Sequence, residues 1–408
     1  MIIKNTSGSR LTDRSTHRIA SIDAFRALTM GLMIFVNDLW TLKEVPVWLE
    51  HAAAQADAMG LSDVVFPAFL FIVGLSIPFA LKNRIRKGQS TGEIIWHIIS
   101  RSCALLVMGV LHVNLENFQP EAVWLPKAIW QIMITIGFFL IWNNYSGWKL
   151  NKKTTILLQG TGWIILIIMA IIFRGGEAEN PVWIKTYWWG ILGLIGWAYL
   201  LSSLIYLAAG NRLSILFPAW LFFIIFNIAD FAGWLENLEG IRHYVWIVGS
   251  GSMPAFTMGG VVASGLYMNF TKDDGWKYFL ASILLLGIVM LIFGFAIRPL
   301  WGISKIRATP AWIGICTGIS FMTYGMLYIV MDRWNRTRWY KLIKPAGTAT
   351  LTCYLLPYLH YALYSIVGIS LPVVLRTGFA GILKSITYAL VIIFVTGLLS
   401  KIKIRLRI

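Results

Sequence analysis

The sequence predicts an all-α membrane protein, a polytopic bundle of about 10–12 transmembrane helices with the N- and C-termini in the cytoplasm. Three observations predict it. Of the 408 residues, 58% are apolar and only 13% are charged, against roughly 25% charged in ordinary soluble domains. Apolar runs near the ~20 residues that cross ~30 Å of hydrocarbon recur along the whole length. Lys and Arg gather in alternate loops, and basic loops resist translocation.

The apolar runs lie at 22–40, 61–81, 94–114, 128–142, 154–173, 187–208, 213–231, 244–268, 276–297, 308–330, 348–367 and 379–399. The run at 128–142 is short, and 187–208 and 213–231 are closely spaced, so the parity is firmer than the count. The cytoplasmic basic groups include Lys82, Arg84, Arg86 and Lys87, then Arg333, Arg336, Arg338, Lys341 and Lys344, and finally Lys401, Lys403, Arg405 and Arg407. The net charge of +17 is therefore a topology and lipid-surface signal. A nucleic-acid binder would gather such charge on one soluble face, so no nucleic-acid partner is expected. The 20 Trp residues crowd the run ends, where an amphipathic ring suits the interface. Residues 1–20 are expected as a cytoplasmic tail, 21–400 as a single membrane domain without internal repeat, and 401–408 as a basic cytoplasmic tail. Cys103, Cys316 and Cys353 fall inside runs without paired spacing, which suggests neither a disulfide frame nor a metal site.

Ionisable groups inside membrane spans are the informative ones, because each costs about 2.5–3.5 kcal/mol unless it faces protein or water. The first run carries Asp23, Arg26, Asn37 and Asp38. At 100° per residue Asp23, Arg26 and Asn37 share a face, a stripe about 17 Å long between Arg26 and Asn37. Asp23 and Arg26 read equally as an i,i+3 ion pair and as ligand contacts. The adjacent Asn37 and Asp38 end an apolar stretch and suggest a helix mouth opening into a site. The following outer loop, 41–60, holds His51, and the second run opens with Asp63 and contains Pro67 and Pro78, which predict a bend around a cavity. His51 is then within reach of Asn37, Asp38 and Asp63.

The third run adds Arg101 and His112 on one face, with His97 one turn below Arg101. A buried Arg101 offers a planar fork of donors to a phosphate, or an ion pair to a neighbouring span. Lys127 and Gln131 open the fourth run. Arg298, Ser304, Lys305 and Arg307 surround the outer loop before the tenth, an exception to the charge asymmetry that fits an anionic partner or interface snorkelling. His243 and His360 read as structural, and His17 lies on the tail.

The order Ser21-Ile22-Asp23-Ala24-Phe25-Arg26, Met33 to Asn37, His51-Ala52, and Asp63 to Gly74 resembles the heparan-α-glucosaminide N-acetyltransferase family and its bacterial relatives. Arg101 with Gly109 and Asn114 is similar to the family's third segment, and Trp130-Gln131 to the start of the next. Weaker echoes occur at 249–265, 303–305 and 347–354. The chain departs from the pattern at Ala27 (Gly in the family), Ile132 (Arg) and Thr348 (Asn). It lacks the tryptophan after the His-Ala pair, and its His51 to Asp63 stretch is about two residues longer than in eukaryotic members.

The resemblance implies an enzyme that takes acetyl from cytosolic acetyl-CoA and delivers it to the amine of a terminal glucosamine across the membrane, with His51 as the catalytic residue. Acyl transfer to an amine needs a proton acceptor and a donor facing the oxyanion. His51 can deprotonate the amine or carry the acetyl itself. Asn37 can donate to the thioester oxygen, and Asp63 or Asp38 can orient the imidazole. Asp23, Arg26, Arg101, Gln131 and Lys305 are the candidates for holding the CoA donor, Arg26 and Arg101 toward its phosphates. The expected partners are acetyl-CoA, an amino-sugar or glycan acceptor and the lipid bilayer, with a homodimer open beside the monomer and no metal. A bacterial inner membrane is the expected location. Two other classes stay open: a transporter or channel with a polar pathway, and an acyltransferase acting on a lipid or cell-wall polysaccharide.

Overall fold

The computed structural model describes residues 19–238, 240, 248–271 and 274–408. His17, His243 and the beginning of the run at 244–268 lie outside them. Every apolar run coincides with a helix: α1 (Ala20–Asp38), α2 (Leu61–Arg86), α3 (Thr91–Asn114), α4 (Lys127–Trp142), α5 (Lys152–Ile172), α6 (Ile191–Ala209), α7 (Leu213–Phe231), α8 (Ser252–Phe270), α9 (Trp276–Trp301) and α10 (Pro310–Leu327), then α12 (Thr350–Val367) and α13 (Gly378–Lys401). A π-helical turn, Tyr328–Arg333, prolongs α10. Between them lies α11 (Tyr340–Thr348), an amphipathic helix that hydropathy alone does not reveal. Among the described residues, nine helices are long and apolar enough to cross a membrane. At 16 residues α4 is shorter, while α8 and α12 carry polar positions such as Thr257, Ser264 and Thr352 that are buried within the bundle. The protein is an all-α, multi-pass membrane bundle.

Burial separates core helices from rim helices. The apolar windows of α1, α2 and α10 are 67% buried, against 17% for α5 and 22% for α9. The exposed faces of α5 and α9 carry Ile164, Ile167, Ile168 and Ile171, and Leu285, Ile288 and Ile292, which suits contact with acyl chains. At the centre, α2 meets α8 at van der Waals distance through paired glycines. A Cβ on Gly260 would fall 1.9 Å from the Phe71 carbonyl oxygen, and one on Gly74 would fall 1.8 Å from that of Thr257. Only glycine permits this approach of two backbones. The helix α2 continues unbroken through Pro67 and Pro78.

Of the segment 401–408, expected as a tail, Lys401 ends α13 and 402–408 is folded back onto the bundle. The Arg407 N–H donates to the Trp142 carbonyl (2.8 Å) and the Asn144 N–H to that of Arg405 (2.9 Å). The Leu406 N–H donates to Thr352 Oγ1 at 3.0 Å, and the Leu406 side chain is buried. The segment thus joins the end of α4 to the first turn of α12.

Candidate active site

The loop between α1 and α2 is fixed from the helix side. The Leu61 N–H donates to the Trp48 carbonyl (2.7 Å) and the Ser62 N–H to that of Leu49 (3.3 Å). A Cβ on Gly60 would overlap the Glu50 carbonyl, so glycine lets the chain double back there. This brings His51 onto Asp63, in the first turn of α2. The Asp63 side chain is wholly buried. Its Oδ1 lies 2.7 Å from His51 Nδ1, and its Oδ2 accepts the Ala52 and Gly60 N–H groups, both at 3.0 Å. Trp312 Nε1–H donates to the Asp63 carbonyl at 3.0 Å. A carboxylate in this setting only accepts, so Nδ1 carries the ring hydrogen and, in the neutral ring, Nε2 is the nitrogen with the lone pair. The imidazole remains 46% exposed, free to meet a substrate.

A third group reaches this pair. Lys305 Nζ stands 3.2 Å from His51 Nδ1 and 3.4 Å from Nε2. Its loop, 302–309, is zipped to the His51 loop. The Ile303 N–H donates to Asp57 Oδ1 at 2.7 Å, Arg298 Nε spans both Asp57 oxygens at 3.0 and 2.9 Å, and the Ser304 hydroxyl donates to the Ala54 carbonyl at 2.9 Å. Burial pulls the Lys305 ammonium below the ordinary lysine value, against the opposing pull of Asp63 and Cys316. The Ile303 N–H and the Arg298 guanidinium hold the Asp57 carboxyl below its usual range.

His51 and Asn37 share the wall of a cavity of about 890 Å³, bounded by α1, α3, α4 and α12. Gln131 lines it too, its amide donating to the Tyr358 carbonyl at 2.8 Å. A second cavity of about 310 Å³ lies against α6 and α8, with Trp189, Trp197, Ser252 and Lys305 in its wall. Lys305 therefore lines the smaller cavity while its ammonium touches the histidine that lines the larger.

The remaining candidates are placed elsewhere. Asp38 is buried and fully engaged: it accepts from Tyr361 (2.6 Å), Ser385 (2.6 Å) and Lys384 Nζ (2.7 Å), so of the two carboxylates it is Asp63 that meets the imidazole. Arg26 forms the i,i+3 ion pair with Asp23 at 3.1 Å and also donates to Ser76 at 2.6 Å. The Arg101 guanidinium lies over the Tyr199 ring, 4.7 Å from its centroid. Neither arginine lines the larger cavity, nor does Asp23. His360 packs among Tyr361, Tyr364 and Tyr388. Sequence reasoning passed over Tyr354, Tyr358 and Tyr361 of the cavity wall, although their i, i+4, i+7 spacing marks one helix face.

Residues 18–118 match the family described as heparan-alpha-glucosaminide N-acetyltransferase, catalytic. They contain α1, the His51 loop, α2 and α3, and so His51, Asp63 and Asn37 together. Over residues 18–118 the chain is similar to the heparan-α-glucosaminide N-acetyltransferase family. A mouse protein of that name is 32% identical over 143 residues, 33% of this chain and 20% of its own length. The human protein is 32% identical over 101 residues, 24% of this chain and 14% of its own. The matches thus span a fifth or less of these curated relatives. Similarity to the acetyltransferase family is concentrated where the Asp63–His51 pair is built, and the partner lysine, Lys305, comes from well beyond the family match.

Proposed function

We propose that the chain is a transmembrane acyltransferase that moves acetyl from cytosolic acetyl-CoA to the amine of a glucosamine-like sugar on the other side, at His51. The single observation that carries this reading is the imidazole held by buried Asp63 in the wall of the 890 Å³ cavity. The basic-loop asymmetry supports the sidedness, since it puts loop 41–60 on the extracytoplasmic face of what is then a bacterial inner membrane.

The chemistry follows from the atoms present. Nε2 takes a proton from the acceptor amine as its nitrogen attacks the thioester carbonyl carbon, the C–S bond breaks, and the proton passes to the departing thiolate. Transfer through an acetyl-histidine would use the same nitrogen. Asp63 fixes the ring and stabilises its protonated form, as the carboxylate of a triad does. The Asn37 amide and the Lys305 ammonium are the groups that can face the developing oxyanion. The larger cavity suits the donor, and the smaller, with Trp189 and Trp197, suits the sugar.

His51→Ala should lower transfer from acetyl-CoA to glucosamine by on the order of 10²–10⁴-fold while CoA binding by calorimetry stays near wild type. A variant that keeps wild-type rates would remove His51 from the reaction.

A further inference from the structure

Lys305 sets an amine of the chain itself against the imidazole of His51. Among the described residues its ammonium forms no ion pair with a carboxylate, and its hydrogen-bond contacts are the two ring nitrogens of His51, at 3.2 and 3.4 Å. Lys384 is different: its Nζ meets Asp38 Oδ2 at 2.7 Å and Thr41 Oγ1 at 2.8 Å. With Asp63 holding the hydrogen on Nδ1, the lone pair that can accept from Lys305 is on Nε2. A proton passing from the ammonium to Nε2 leaves a neutral amine beside an imidazolium that Asp63 stabilises. Burial lowers the proton affinity of Lys305 against the opposing pull of Asp63 and Cys316, and so favours the same transfer. A neutral lysine amine is a nucleophile. The contact between the two side chains is exposed, and Lys305 also lines the smaller cavity of about 310 Å³, which leaves space beside the amine for an acetyl group.

We propose that Lys305 is a site of self-acetylation: when the donor thioester stands at His51 with no acceptor amine in place, the acetyl group goes to Lys305 Nζ. His51 Nε2 takes one proton from the Lys305 ammonium. The freed amine attacks the thioester carbonyl carbon, the C–S bond breaks with its electron pair on sulfur, and the second proton to leave the nitrogen goes to the thiolate. The imidazolium then returns its proton to water, so the products are acetyl-lysine, the free thiol of CoA and one released proton. An amide is a far poorer acetyl donor than a thioester, and the reaction ends there. The acetylated side chain is neutral and presents no charge to the oxyanion. Nε2 serves whichever amine it meets, so an acceptor in place diverts the acetyl group from Lys305. This assignment rests on the acyltransferase reading given above.

The test uses the full chain in detergent, deuterated acetyl-CoA and peptide mass spectrometry, first without acceptor. Two exposed lysines serve as internal references: Lys43, and Lys127, which lines the larger cavity. Label should enter Lys305 faster than either by on the order of 10²-fold, the worth of a positioned base, and His51→Ala should bring Lys305 down to their level. Transfer to glucosamine, assayed afterwards, should fall in proportion to the label, and glucosamine present from the start should slow both changes. Lys305→Arg, whose guanidinium is not acetylated, should hold its own starting rate through the same incubation. Label at Lys305 no higher than at Lys43 and Lys127, in a protein that transfers acetyl to glucosamine, overturns the assignment and leaves the acyltransferase reading intact. Equal labelling of Lys305 in His51→Ala overturns it too, because the amine then reacts without the imidazole. A wild-type protein that binds no CoA and acetylates neither itself nor glucosamine overturns the acyltransferase reading and this assignment with it.

Discussion

A carboxylate offers about four lone-pair positions, and Asp63 commits three of them within its own loop: the His51 ring and the N–H groups of Ala52 and Gly60. The ring is therefore oriented by a group that is itself immobilised, the condition for a positioned base. Lys305 brings the positive charge, and burial lowers its proton affinity. If that charge faces the oxyanion, the rate falls as pH rises through a value below the ordinary lysine figure of ~10.4. Lys305→Met should cost on the order of 10²-fold and abolish this alkaline limb, and Lys305→Arg, which stays protonated, should move it upward; a pH–rate profile decides. Asp57 titrates at the other end of the scale. Its folded-state pKa is depressed, so its contribution is complete above the ordinary aspartate value near ~4 and is lost as pH falls through the lowered one. Proteolysis between residues 52 and 60 should accelerate below about pH 4 in the wild type. In Asp57→Asn it should be faster at neutral pH and respond less to acid.

The helices are held by contacts of different kinds. Where α2 crosses α8 the backbones touch, so even a methyl group is too large. Gly260→Ala should destabilise by about 1–3 kcal/mol, the usual cost of overpacking, read as a lower unfolding midpoint in detergent. Gly92→Ala, in the first turn of α3 with nothing within 4 Å of the added carbon, is the matched control and should leave the midpoint unchanged. In α12 the relevant feature is a face: Tyr354, Tyr358 and Tyr361 project into the larger cavity from a helix whose Thr352 and Cys353 are buried. The cavity wall is thus an element with two polar sides, which explains why its hydropathy is modest for a span.

At the scale of the molecule, hydropathy was enough to find each apolar run because a span must satisfy its own backbone in lipid, and only helices do so along one segment. It overlooked α11, whose sequence Tyr340 to Thr348 is too polar and short to register. The site divides in the same way. His51, Asn37 and Asp63 were legible because they sit within one stretch of chain and carry polar chemistry into an apolar setting. The distinction between Asp63 and Asp38 was not, since it depends on Lys384 and Ser385 arriving from α13. Nor was the contact of Lys305 with His51, made by loops far apart in sequence, and Arg26 and Arg101, which share a stripe with other polar groups on paper, spend their guanidiniums on Asp23 and Tyr199.

The bond from Arg298 to Asp57 joins positions 241 residues apart. Through it the last turn of α9 is tied to the loop that carries the imidazole. Substitutions at that turn would mimic damage to His51 without altering a single atom that meets substrate. A map of inactivating changes would therefore show two distant bands in the sequence that report one lesion.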